Sequence, residues 1–398
     1  MTIGPTRAPR AKSRQPHDFI LNDIFMNCPN NQTENPPARA NRLELLDVLR
    51  GLAVAAVVLV HIHSYVPALW KGQEAFTLGP LAMKIVPVLW FGVDLFYVLS
   101  GFFIGTSVLK MPRWSAKEYA RHRALRIIPA YYVALLLVIF ISQRDLFDSA
   151  RGMADIALHF GFLHIFQSWS MFGIIGPAWT LGVEWSYYLF MLLAAFWWRS
   201  PKGWLLIIAM LLTAILWKTG AWFLAQEENR FFLASQLPGA LDEFACGMLV
   251  AWLRARGFFT LGTRQSRLWS ALAAIVAGLI FTAVWIHFFY QAPGYWGYFH
   301  MVIFSRLWLS AGFAMWVMAG IWLSDFACAI RIGKYTGLMG LGRISYSVYL
   351  YHVPVFLWLA HAVPQWPGDF TPLLMAVATL AVAWASYRLV ERRFYPNA

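Results

Sequence analysis

Residues 46–66 read LDVLRGLAVAAVVLVHIHSYV, an apolar run with Asp47 and Arg50 near its start and His61 and His63 near its end. A helix needs about 20 predominantly apolar residues to cross the hydrocarbon core of a bilayer. Ionisable side chains inside such a run are costly and mark functional positions. The stretch therefore predicts a transmembrane helix that carries part of a functional site.

Apolar stretches of similar length recur along the rest of the chain, separated by short polar breaks. We predict ten spans, at residues 46–66, 86–109, 127–143, 177–198, 203–224, 236–254, 268–290, 301–323, 338–360 and 371–390. Residues 152–168 are also apolar but contain several polar side chains, and we interpret them as a re-entrant or interfacial segment. The expected fold class is an all-α polytopic membrane protein.

The composition excludes most other classes of protein. Hydrophobic residues make up 60% of the 398 residues and charged residues only 13%, whereas about 25% of an ordinary soluble domain is charged. A soluble protein could not cover its surface with so few charges. A cytosolic globular enzyme, a disordered chain and a coiled coil are therefore excluded.

The net charge of +13 has an explanation in membrane topology rather than in nucleic-acid binding. With the N-terminus in the cytoplasm and ten spans, 25 of the 32 Lys and Arg residues fall on the cytoplasmic side. This asymmetry is what the positive-inside rule requires. We therefore expect both termini in the cytoplasm, a basic and mobile tail at residues 1–42, and a transmembrane domain at residues 43–398.

Arg50 and His61 lie on one face of the first predicted helix. Eleven residues advance the helix by 20° more than three full turns and by about 16 Å along its axis. Arg50 is therefore expected at the cytoplasmic mouth and His61 near the middle of the membrane. Histidine can take up a proton near neutral pH, but a structural histidine bonded to a neighbouring helix backbone is an equally open interpretation.

Other polar side chains fall within or beside the predicted spans. Asp94 and Glu184 are carboxylates among apolar and aromatic residues. Each needs a partner or a purpose there; Glu184 either carries a proton or bonds a Tyr or Trp. Arg123 and Arg126 are three residues apart and suit phosphate oxygens, although membrane topology alone would also explain them. His352 is a second intramembrane histidine.

Taken in order, these pieces resemble the acyltransferase-3 family of bacterial membrane O-acyltransferases, from about residue 43 to residue 395. No single motif is specific to the family, but the motifs together and in this order are. In chain order the motifs are Leu46-Asp47 and Arg50-Gly51 with His61, Gly92-Val93-Asp94-Leu95-Phe96 with Ser100-Gly101-Phe102, Arg123 with Arg126, Trp179-Thr180-Leu181 with Glu184 and Tyr187, Leu341-Gly342 with Ser345-Tyr346 through His352 and Pro354, and Val390-Glu391-Arg392.

The resemblance implies an enzyme of the bacterial inner membrane. Family members take an acyl group, usually acetyl, from cytoplasmic acyl-CoA and deliver it to a sugar hydroxyl of a polysaccharide, glycolipid or glycoside. Arg50, Arg123 and Arg126 would bind the CoA phosphates. His61 would act as general base, or would carry the acyl group covalently. Glu184 and Asp94 would orient the acceptor or tune the base; no metal is expected.

A second class of function fits the same residues. A polytopic transporter or export partner for surface glycans would use the intramembrane acids as proton relays. Inverted-repeat transporters carry internal symmetry, and no such repeat is visible in this sequence. Acetyl-CoA binding separates the two classes, because a transporter would show none.

Overall fold

The computed structural model describes residues 43–70, 85–289, 294–363 and 370–395, and within these ranges the chain is helical and contains no strand. The predicted tail at residues 1–42 lies outside them. The described residues include ten long helices that form the bundle: α1 (Glu44–Leu69), α2 (Gly92–Lys110), α3 (Ala116–Ser142), α4 (Trp179–Trp198), α5 (Trp204–Leu224), α6 (Leu237–Ala255), α7 (Arg264–Val284), α8 (Phe299–Leu323), α9 (Ser345–Ala362) and α10 (Thr371–Ser386).

Each of these ten helices overlaps one of the ten predicted spans. In the described ranges, seven are long and apolar enough to cross a membrane, namely α1, α2, α3, α5, α7, α8 and α10, some with an adjoining turn. The other three are α4, which contains Glu184, α6, which contains Asp242 and Glu243, and α9, which contains His352. An all-helical membrane protein is therefore confirmed, while the count of ten crossings and the orientation of the termini stay predictions.

Two helices differ in extent from the spans predicted for them. Helix α3 begins at Ala116, eleven residues before the predicted start, because the Ser115 hydroxyl caps it by accepting the Glu118 N–H at 3.2 Å. Arg123 and Arg126 are thus inside the helix. The predicted span 338–360 is broken into a short helix, Leu338–Arg343, and α9, which begins at Ser345.

The centre of the bundle is held by close backbone approach between α2 and α6. A methyl group built at Gly247 would lie 1.9 Å from the Val98 carbonyl oxygen, and one at Gly101 would lie 2.1 Å from the Phe244 carbonyl oxygen. Small residues at a helix interface allow such contact in membranes. Helix α1 packs against α2 and α9, and Asp47 near its start is buried.

The segment between α3 and α4 contains short helices. Ala150–Phe160 is capped by the Ser149 hydroxyl, which accepts the Gly152 N–H at 3.0 Å, and the short turns His164–Phe166 and Gly176–Ala178 lead into α4. A helix of 11 residues is too short to cross the hydrocarbon core. This agrees with the interpretation of residues 152–168 as re-entrant or interfacial.

Candidate active site

Three arginines that the sequence predicts as ligand-binding residues line one cavity, which we call the arginine cavity. Arg50 comes from α1, and Arg123 and Arg126 come from α3; Glu184 of α4 is the fourth charged side chain on its wall. The cavity has a volume of about 80 Å³ as it stands. Glu184 is on this wall and Asp47 lies 3.8 Å from Arg50, while the three guanidinium groups are of the kind that binds anionic oxygens.

Arg50 and Arg123 are each positioned by contacts with neighbouring side chains. Arg50 lies 3.8 Å from Asp47, and its guanidinium carbon lies 6.0 Å from the Phe103 ring centre. Arg123 donates to the Ser107 hydroxyl at 3.1 Å, while its buried Nε has no hydrogen-bond partner in the described part of the chain. A buried donor without a partner is costly. Arg123 is therefore an arginine with a donor available for a ligand.

Glu184 is a member of the arginine cavity. Its carboxylate accepts hydrogen bonds from the Ser100 hydroxyl at 2.5 Å and from the Tyr188 hydroxyl at 2.6 Å. Of the two interpretations of this glutamate, the structure supports the one in which it bonds a tyrosine. It does not bring Glu184 into contact with His61.

His61 is half-buried on α1, eleven residues beyond Arg50. Its Nδ1 lies 2.7 Å from the carbonyl oxygen of Val57, one turn earlier on the same helix. A carbonyl oxygen can only accept, so this bond places the proton on Nδ1 and leaves the Nε2 lone pair available. The ring has the tautomer that a general base needs.

His352 of α9 lies against His61. The two ring centres are 4.8 Å apart in an edge-to-face arrangement. The buried His352 bonds through Nδ1 to the carbonyl oxygen of Tyr349 at 2.7 Å, and its Nε2 has no hydrogen-bond partner within the described ranges. The sequence marked both histidines, but their contact depends on the packing of α1 against α9.

His61 lines a second cavity, which we call the histidine cavity, with a volume of about 450 Å³. Val93 and Tyr349 line both cavities. The Tyr349 hydroxyl is bonded to the Thr180 hydroxyl at 2.7 Å and donates to the Pro177 carbonyl oxygen at 3.1 Å. These two side chains, one of which is fixed by hydrogen bonds, therefore belong to the walls of both cavities, and we call them the partition.

Asp94 is part of a buried ion cluster and is not on the wall of either cavity. One of its carboxylate oxygens lies 3.7 Å from Arg306 Nε, and Arg306 Nη1 lies 3.4 Å from Glu243. Beside them, Lys218 and Asp242 form a buried pair at 2.6 Å. Asp94 is therefore connected to the histidine cavity by its contact with Arg306, which lines that cavity.

Sequence reasoning missed Arg306 as a site residue and used it only for the charge count. The available signal was a charge within the apolar helix α8, where such a residue needs partners and faces the interior. The described ranges contain no group of three or more His, Cys, Asp or Glu residues that could hold a metal ion.

Comparison with known proteins gives distant relatives along most of the chain. It is 25% identical to the peptidoglycan O-acetyltransferase OatA of Listeria monocytogenes over 88% of this chain and 56% of that protein. It is 26% identical to the putative membrane-bound transacylase BcsY of Komagataeibacter xylinus over 90% of this chain and 84% of that protein. The chain thus spans about half the length of OatA. No solved structure matches it.

The family comparison covers the helices that build both cavities. The profile of the acyltransferase-3 family, described as an acyltransferase domain, matches residues 43–388. This range includes Arg50, His61, Arg123, Arg126 and Glu184. The resemblance predicted from the sequence motifs is confirmed, and the chain belongs to the acyltransferase-3 family.

Proposed function

We propose that this protein is a membrane O-acyltransferase that moves an acetyl group from cytoplasmic acetyl-CoA to a hydroxyl of a surface or exported polysaccharide or glycolipid. The observation that carries the proposal is the arrangement of the two cavities. Three arginines lie in one, a histidine with an available Nε2 lies in the other, and Val93 and Tyr349 line both. A donor and an acceptor would then approach the same point from opposite sides.

The arginine cavity is proposed as the donor site and as the cytoplasmic side of the molecule. Arg50, Arg123 and Arg126 would bind the phosphates of CoA, because guanidinium groups form charge-assisted hydrogen bonds with phosphate oxygens. The pantetheine arm would extend along the α1 face toward His61, a rise of about 16 Å over eleven residues. This orientation agrees with the excess of Lys and Arg on the predicted cytoplasmic side.

His61 is proposed as the general base. Its Nε2 takes the proton of the acceptor hydroxyl as the oxygen attacks the thioester carbonyl carbon. The new C–O ester bond forms, the C–S bond breaks, and the imidazolium returns the proton to the CoA sulfur. Acyl-CoA and alcohol thus become ester and free CoA with no other reactant. A covalent acyl intermediate on His61 is the alternative route.

Glu184 and Asp94 act in this proposal as positioning residues. Glu184 would hold the arginine cavity in shape through Ser100 and Tyr188. Asp94 would fix Arg306 at the wall of the histidine cavity. The acceptor class rests on the relatives, one of which is named a peptidoglycan O-acetyltransferase.

Acetyl-CoA binding to the purified protein tests the donor site. We expect the double variant Arg123→Ala/Arg126→Ala to raise the Kd at least about 100-fold, since each hydrogen bond to a charged group contributes roughly 1.5–3 kcal/mol. Arg121→Ala is the matched control, because Arg121 is exposed on the same helix. Isothermal titration gives the Kd values. Absence of binding to the wild-type protein would reject the proposal in favour of a transporter.

A further inference from the structure

The histidine cavity has a wall of connected aromatic rings. Starting from Trp90, the ring-centre distances are 6.1 Å to Tyr295, 5.0 Å from there to Trp296, 5.3 Å on to Phe231 and 5.4 Å on to Trp179. Each contact is edge-to-face, so neighbouring rings stand at steep angles to one another. All five rings line the same cavity as His61.

These rings are anchored from outside the cavity. Arg230 donates from Nη1 to the Trp296 carbonyl oxygen at 2.7 Å and stacks on Trp222 at 3.9 Å. The Tyr295 hydroxyl is hydrogen-bonded to the Ser305 hydroxyl. The turn that carries Tyr295 and Trp296 is therefore tied to two other helices, and the ring faces are preorganised for a ligand.

The charge on this wall is already balanced. Among the described residues that line the histidine cavity, Arg306 is the one with a permanent charge. Asp94 and Glu243 lie within 3.7 Å and 3.4 Å of it. Two carboxylates beside one guanidinium leave no net positive charge with which to attract an anionic ligand. Bringing a charged ligand to this depth would also carry a large desolvation cost.

We infer that the histidine cavity is an acceptor subsite for an uncharged sugar ring, which stacks its C–H face on the aromatic wall and turns a hydroxyl toward His61. The inference rests on the proposed function and adds the chemical class of the acceptor residue. Aromatic faces carry partial negative charge and attract the C–H groups of a pyranose face. Arg306 then acts as a hydrogen-bond donor to a neutral oxygen.

The test uses the full chain in a deletion strain. The strain is complemented with the wild-type chain, Trp296→Leu, Trp179→Leu or the double variant. Leucine keeps apolar volume but removes the ring face. Trp296→Phe is the conservative variant, and Trp197→Leu is the matched control because Trp197 is 63% exposed on the outside of the bundle. The readouts are ester-linked acetate on extracted glycans, the mass of the acetylated sugar residue, and acetyl-CoA binding to each purified protein.

We expect each single Leu variant to lower ester-linked acetate about tenfold or more, as for truncation of an aromatic anchor in a binding site. Trp197→Leu stays within about twofold of wild type. Trp296→Phe keeps more ester-linked acetate than Trp296→Leu because it retains a ring face, and all variants keep their acetyl-CoA affinity. The acetylated sugar residue is uncharged. Wild-type acetate levels in the double variant would overturn the inference, and so would an acetylated residue that carries a carboxylate, phosphate or sulfate.

Failure of the underlying function is separately visible. A wild-type protein that binds no acetyl-CoA, or a deletion that changes no glycan acetate, would overturn the proposed function and this inference together. Retained acetyl-CoA binding with unaltered acetate in the double Leu variant would overturn the inference alone.

Discussion

The hydrogen bond from His61 Nδ1 to Val57 fixes both the tautomer and the orientation of the ring. Because the acceptor is one helical turn earlier on α1, the arrangement depends on no other helix. The other nitrogen of the His61 ring, Nε2, is thereby directed away from the Val57 carbonyl. In an acyl transfer this is the nitrogen that must reach the acceptor hydroxyl.

At the residue scale, His61→Ala is expected to lower acetyl transfer at least about 100-fold, the lower range of general-base contributions. Acetyl-CoA binding should not change, because the arginine cavity does not include His61. His63→Ala is the matched control, since His63 is on the same helix and does not line either cavity. Transfer of radiolabelled acetyl to extracted glycan is the measurement; full transfer by His61→Ala would contradict the assigned role.

At the scale of the helices, the partition depends on how α2 and α9 pack, because Val93 is at the start of α2 and Tyr349 is on α9. We predict that Val93→Trp separates the two half-reactions. A larger ring between the cavities should abolish transfer while the Kd for acetyl-CoA stays within a few-fold of wild type. Overpacking a site typically costs about 1–3 kcal/mol, so the protein should remain folded.

The control for this variant is Val133→Trp on α3, where Val133 is exposed on the outer surface of the bundle. It should behave as wild type in both assays. Normal acetyl transfer by Val93→Trp would show that the acetyl group takes a path that does not pass the partition.

The contact between α2 and α6 yields a stability prediction. Gly247→Ala places a methyl group 1.9 Å from a backbone oxygen, so the two helices must separate. We expect a clear fall in Tm of the detergent-solubilised protein. Gly220→Ala on α5 is the control because a methyl group there meets no atom within 4 Å, and alanine is the better helix former. Equal Tm values for the two variants would show that α2 and α6 do not need this close approach.

For the whole molecule, the ten-span topology predicts on which side of the membrane each turn lies, and the turns that flank α5 test it. If α4 and α5 both cross, the turn between them at residues 199–203 is cytoplasmic and Gln226, after α5, is on the opposite side. Single cysteines at Ser200 and Gln226 in a cysteine-free background should then react with an impermeant maleimide from opposite faces of the membrane. Labelling of both from one face would contradict the ten-span topology.

The sequence predicts the elements of this fold well, because apolar length and charge asymmetry are properties of single stretches. The arginine cavity was also accessible from motifs on α1 and α3. The partition was not, since Val93 and Tyr349 are 256 positions apart and meet only through helix packing. Arg306 was missed for the same reason: its partners are on α2 and α6, and a charge within an apolar run does not reveal which helices neutralise it.

The two-residue partition has a consequence for the cell that contains this protein. In the proposed arrangement the two cavities approach each other from opposite faces of the membrane, and little material is left to insulate the membrane potential. Val93 and Tyr349, with the tyrosine hydroxyl tied to Thr180 and Pro177, then act as an electrical seal. An enzyme of this design must exchange chemical groups without leaking protons, and Val93→Ala would be expected to make growth sensitive to a fall in external pH before it impairs catalysis.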